Sequence, residues 1–162
     1  MRSGKAKAIA TETGTDTASA PCTNLFLVRN ATRNRVIATR VVLAGTSRDR
    51  RIGLSRHTRL DSQEGLLLTP CEAIHTVGMR FALDVLFIDP SGRVRAMREG
   101  LRPWRLAVCW RARSTLELAT GAIYRSGTQA GDLLEFLRLP AADSDAESYE
   151  LPAGDPQGEY EP

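Results

Sequence analysis

A chain of 162 residues has room for one domain of ordinary size, and its 42% hydrophobic and 25% charged residues are usual for a globular protein. No apolar run reaches the roughly 18 residues that a membrane-spanning helix needs. The net charge of +3 hides an uneven distribution: residues 22–139 hold 19 Arg against 10 Asp plus Glu, a net of +9, while residues 140–162 hold seven acids and no base.

The first 23 residues carry Arg2, Lys5 and Lys7 but no apolar segment behind them, so a secretory signal is not expected. Ser19-Ala20-Pro21-Cys22 is a faint likeness of a lipoprotein cleavage site without the greasy stretch that site requires. The expectation is a disordered leader (1–23) on a cytoplasmic protein. Three cysteines, Cys22, Cys71 and Cys109, are an odd number at wide spacing, which argues against a disulfide framework and fits a reducing compartment.

Leu25 to Val28 and Arg35 to Leu43 read as two strands joined by an Asn-rich turn at Asn30 to Asn34. Thr46 supplies a helix cap, with Asp49 in the first turn, and a short helix is expected through Leu54. Glu64 to Thr69 is a strand ended by Pro70. Phe81 to Asp89 is the strongest strand; Asp89-Pro90-Ser91-Gly92 has the residues of a type I turn, and Arg93 to Met97 returns. Ser114 to Ala119 and Asp132 to Leu139 add two strands around a short helical or turn segment, Gly121 to Gly127. Roughly seven strands at near-regular spacing predict a mainly β fold, a compact β-sandwich (jelly-roll-like) or barrel with one or two short helices. That domain spans 24–139, followed by a disordered acidic tail (140–162).

Side chains alternate along a strand, so Phe81, Leu83, Val85 and Phe87 share one face, and Ala82, Asp84, Leu86 and Ile88 the other. Asp84 is then a carboxylate in an otherwise apolar strand, and needs an Arg or backbone amides as partner, because an unpaired buried charge costs several kcal/mol.

Six segments occur in order: RRIGLSR (Arg50 to Arg56), EGLLLTPC (Glu64 to Cys71), IHTVGMRFALDVLFID (Ile74 to Asp89), PWRL (Pro103 to Leu106), LELATG (Leu116 to Gly121) and AGDLLEF (Ala130 to Phe136). Together they resemble the family known as domain of unknown function 192, over about Asn24 to Leu139. The resemblance implies a small, jelly-roll-like β-sandwich of bacteria and archaea with no established activity, and carries over no catalytic residues. Many relatives in that family bear a signal sequence or membrane anchor, which the leader here does not resemble.

Several constellations could carry chemistry. His75, Arg80 and Asp84, with Glu64 and Glu117, offer acid, base and cation types, and Trp104 beside Arg105 offers an aromatic and cationic shelf. Cys71, His75 and Met79 are a soft-ligand set of the kind Cu(I) favours, set against a plain reading as core cysteine, core methionine and satisfied histidine. No GxSxG elbow, phosphate loop or zinc pattern is present. The arginines are spread through the chain, concentrating around Arg48, Arg50, Arg51, Arg56 and Arg59, so only non-specific nucleic-acid binding is allowed for, with no membrane partner. The leading expectation is a non-catalytic binding or accessory domain, holding a small anionic ligand or a protein segment in a groove of His75, Arg80, Asp84, Trp104, Arg105 and Glu117. The alternatives are a hydrolase-like enzyme using Asp84 or Glu117 with His75, and a soft-metal carrier. The acidic tail is expected either to keep the chain soluble or to lie on the arginine surface. Sequence leaves oligomeric state and ligand identity open.

Overall fold

The structure, a computed structural model, describes residues 24–44, 46–55 and 57–140. The leader and all but the first residue of the acidic tail lie outside the described residues, as do Gly45 and Arg56. The opening hairpin forms as its sequence predicts, from β1 (Leu25–Asn30) and β2 (Arg35–Ala44), with Asn34 at φ 52° taking the left-handed turn position that asparagine tolerates. Helix α1 (Ser47–Ile52) starts where Thr46 Oγ1 accepts a hydrogen bond from Asp49 N, and stops at Gly53. There follow β3 (Glu64–Leu68), β4 (Ala73–His75), β5 (Leu83–Ile88), β6 (Val94–Leu101), β7 (Leu106–Val108), β8 (Ser114–Ala119), α2 (Ala122–Ser126) and β9 (Leu134–Arg138).

Seven of these strands form one sheet in the order β6-β5-β8-β3-β2-β1-β9, antiparallel except where β2 runs parallel to β3. The sheet curls. Its two edge strands meet at their starts, where Val94 N donates to Asp132 O at 2.9 Å and Leu134 N to Gly92 O at 2.9 Å. That contact protects part of two edges that would otherwise be unpaired. The result is a half-barrel, with β4 and β7 pairing separately as a two-stranded ribbon. These two three-residue strands, and the extension of β6 past Met97 to Leu101, are absent from the sequence expectation.

Because β5 and β8 are buried on both sides, there are two apolar clusters. On one face of the sheet Leu86, Ile88, Leu116 and Leu118 meet Val28, Val41 and the α2 residues Ala122 and Ile123. On the other, Leu83, Val85 and Phe87 meet Leu54, Ile74, Met79 and Ala107, so α1's turn and the ribbon are lids on the second face. Gly65 lets β3 lie close to β8: a Cβ there would sit 2.9 Å from Glu117 O and 3.0 Å from Leu118 Cδ2. Gly65→Ala is therefore expected to lose about 1–3 kcal/mol in a urea melt, since the nearest obstacle is backbone rather than a mobile side chain. Among the described residues no helix is long and apolar enough to cross a membrane.

Candidate functional site

Strand β8 reads Ser114-Thr115-Leu116-Glu117-Leu118-Ala119, and period-two alternation decides where its acid goes. Leu116 and Leu118 enter the first cluster, so Glu117 projects from the opposite face, in register with Val85 on β5 and Leu66 on β3. It is 4% exposed, and no group among the described residues hydrogen-bonds its Oε2. Burial alone pushes its pKa from 4.5 up to about 7, because removing water penalises the ionised form.

Above Glu117 lies a cavity of about 260 Å³. One wall is α1 with its following turn, contributing Arg50, Arg51 and Leu54. Arg50 is anchored there by donating to Thr69 O at 3.2 Å and to Ser47 Oγ at 3.1 Å. The segment around β4 contributes Cys71, Ile74, His75 and Met79, and Leu68 of β3 lines the cavity as well. A buried carboxyl group thus meets a chamber of mixed polar and apolar lining, to which two arginines contribute. Two other hollows, of about 340 Å³ beside Leu60 and Leu66 and about 570 Å³ beside Arg33, Arg35 and Tyr124, contain no buried polar side-chain atom without a partner among the described residues.

Of the six residues expected to form a groove, His75 and Glu117 share this cavity. Asp84 projects to the other face of the sheet, 1% exposed, where Oδ1 accepts from Gly100 N at 2.9 Å and Oδ2 from Ile123 N at 3.0 Å. Its partners are the backbone amides that its burial demands, and they tie β6 and α2 to the central strand. Arg80 is exposed and does not line the cavity. Trp104 and Arg105 lie in the turn before β7, also outside the cavity lining.

Cys71, His75 and Met79 all border this cavity, and Cys71 Sγ donates to Ala73 O at 3.2 Å. Glu64, another candidate acid, is paired with Arg40 at 2.8 Å. Sequence reasoning did not connect Arg50 and Arg51 with Glu117. The usable signal was the acid inside Leu116-Glu117-Leu118, the same anomaly that draws attention to Asp84.

Comparisons with known proteins agree with the fold and add no activity. A "putative transcription regulator" from Sinorhizobium meliloti 1021 is 26% identical with a TM-score of 0.61, the match covering 68% of this chain and 91% of that one. A protein of unknown function from Novosphingobium aromaticivorans DSM 12444 is 23% identical with a TM-score of 0.61, covering 73% of this chain and 94% of that one. No curated protein matches. A family model described as "Uncharacterized ACR" matches residues 28–136.

Proposed function

Because the chain belongs to the DUF192 family, whose description states no activity, we propose from its own residues that it is a binding domain for a small anionic ligand held over Glu117. The observation that carries this reading is the buried Glu117 carboxyl, whose Oε2 has no hydrogen-bond partner among the described residues, facing a cavity that Arg50 and Arg51 also line. Leaving a buried polar group unsatisfied costs about 1–3 kcal/mol, which a ligand supplying the missing hydrogen bond would recover.

The chemistry divides by position. With its pKa near 7, Glu117 is largely protonated under mildly acidic conditions and donates a hydrogen bond to a ligand oxygen. Arg51, exposed on α1, offers the planar fork that matches carboxylate or phosphate. Leu54, Leu68, Ile74 and Met79 take a short hydrocarbon body. At about 260 Å³ the chamber suits a small metabolite; drug-sized ligands usually fill roughly 300–1,000 Å³.

A thermal-shift screen of the full chain against short carboxylates, phosphate monoesters and sugar phosphates tests the reading. The expected result is a saturable rise in Tm with one anionic class, weaker above neutral pH and lost in Arg51→Ala and Glu117→Leu. No response to any anion, or a response that Arg51→Ala leaves intact, rejects it.

One observation favours a second reading, a hydrolase-like enzyme. A carboxyl group titrating near neutrality is suited to general acid or base work, and His75 lines the same cavity. Turnover abolished by Glu117→Gln with binding retained would select this reading over simple binding.

A further inference from the structure

The two-stranded ribbon presents a surface that the cavity does not use. Its register places His75 opposite Leu106 and Ala73 opposite Val108. Alternation turns Ile74 and Ala107 into the core, 6% and 5% exposed, and leaves Leu106 outward at 70%. Trp104 precedes β7 and Trp110 follows it, 66% and 82% exposed, and they are the protein's only two tryptophans.

Trp104 is held in this position by specific bonds. Its φ of 62° lies in the left-handed region, uncommon for a residue other than glycine. The fully buried Thr76 clamps the turn on both sides of it: Thr76 Oγ1 donates to Arg102 O at 2.7 Å and accepts from Arg105 N at 2.9 Å, while Trp104 N donates to Thr76 O at 3.0 Å. Backbone strain of this kind persists only where the surroundings over-determine it. Here it accompanies an indole directed toward water.

The same stretch is basic. Between Gly100 and Leu116 the sequence has Arg102, Arg105, Arg111 and Arg113 and no acid. All four are exposed, and none pairs with a carboxylate among the described residues.

We infer that this aromatic and arginine-rich face is the docking surface for the acidic segment 141–162 of the same chain. That segment has seven acids and no base, with Tyr149, Leu151 and Tyr160 as apolar contacts for the indoles. The described chain leaves the domain at Pro140, which is exposed. The segment has 22 residues, enough to span up to about 70 Å when extended. A domain of about 115 residues has a radius of gyration of about 13 Å, so the ribbon is within reach. Tethering supplies an effective concentration on the order of millimolar, so a weak, charge-driven contact is enough to cover the face.

Both tryptophans report on this surface, which makes acrylamide quenching of intrinsic fluorescence in the full chain the direct test. The comparison is with a full-length variant in which Asp143, Asp145, Glu147, Glu150, Asp155, Glu159 and Glu161 are changed to their amides. In low salt the parent is expected to be quenched roughly twofold less than the variant, and the difference should vanish near 0.5 M salt as the charges are screened. Equal quenching of parent and variant in low salt overturns the proposal. So does shielding that grows with protein concentration and survives in the variant, because the occupant is then a second copy of the chain.

Discussion

Replacing Glu117 by Leu is expected to make the protein more stable at about pH 8 by about 3 kcal/mol while abolishing its response to anionic ligands. The sign follows from the carboxyl's raised pKa. In the fold it titrates near 7 instead of 4.5, so between those values the folded chain binds more protons than the unfolded one. Stability from this group is therefore full below the ordinary carboxylate range, falls as pH rises toward 7 and stays low above it. Leu has similar bulk and no charge to desolvate, so its advantage appears above neutrality and disappears in acid.

Urea melts of parent and variant at about pH 4 and about pH 8 measure this, because the two values lie on either side of the window from 4.5 to about 7. A variant less stable than the parent at the higher pH would mean that Glu117 has a stabilising partner, and would remove the ground for a ligand site. Asp132 and Asp89 do not blur the window. Burial pushes Asp132 upward, but hydrogen bonds from Arg33, Asn30 and Gln129 N outweigh it and hold the pKa below 3.8. Asp89 is also held below 3.8, chiefly by the Ser91 hydroxyl. Their contributions are present above the ordinary carboxylate range and are lost only as pH falls through their lowered values. A gain in stability without function is the pattern expected when a strained group is kept for binding.

Asp84→Ala is expected to have the opposite effect, a loss of about 2–4 kcal/mol, because one buried and one partly buried backbone N–H lose their acceptor at once. These are Gly100 N in β6 and Ile123 N at the start of α2, so the damage should spread. Hydrogen exchange at Ile123 should accelerate before global unfolding as α2 loosens from the sheet. Asp84→Asn keeps one acceptor oxygen and should cost less. If Asp84→Ala melts within about 1 kcal/mol of the parent, the two amides have found other partners and this account of the carboxylate fails.

Asp84 and Glu117 show how far a pattern carries. Each is an acid in an apolar strand, and alternation assigns each to a face without any structure. What differs is what lies across from them. Asp84 meets amides delivered by β6 and α2, whereas Glu117 meets a chamber roofed by α1 and β4. Those roofs are distant along the chain: Arg51 and Glu117 come together only because β3 lies between β2 and β8 in the sheet. The Trp104 turn was equally hidden, since its geometry depends on Thr76, 28 positions earlier.

The sequence by itself determined the features set by neighbours along the chain. These include the hairpin at Asn30 to Asn34, the cap at Thr46, the turn at Asp89 to Gly92, the alternation of β5 and the extent of β8, with family membership resting on ordered segments of the same kind. The tertiary structure alone decided the parallel pairing of β2 with β3, the three-residue strands β4 and β7, the closure of β6 onto β9 and the cavity above Glu117. The physical reason is range. A turn or an alternating strand is specified by contacts within a few residues, while three-residue strands carry too little periodicity to be read. A cavity is defined by surfaces that long-range pairing brings together.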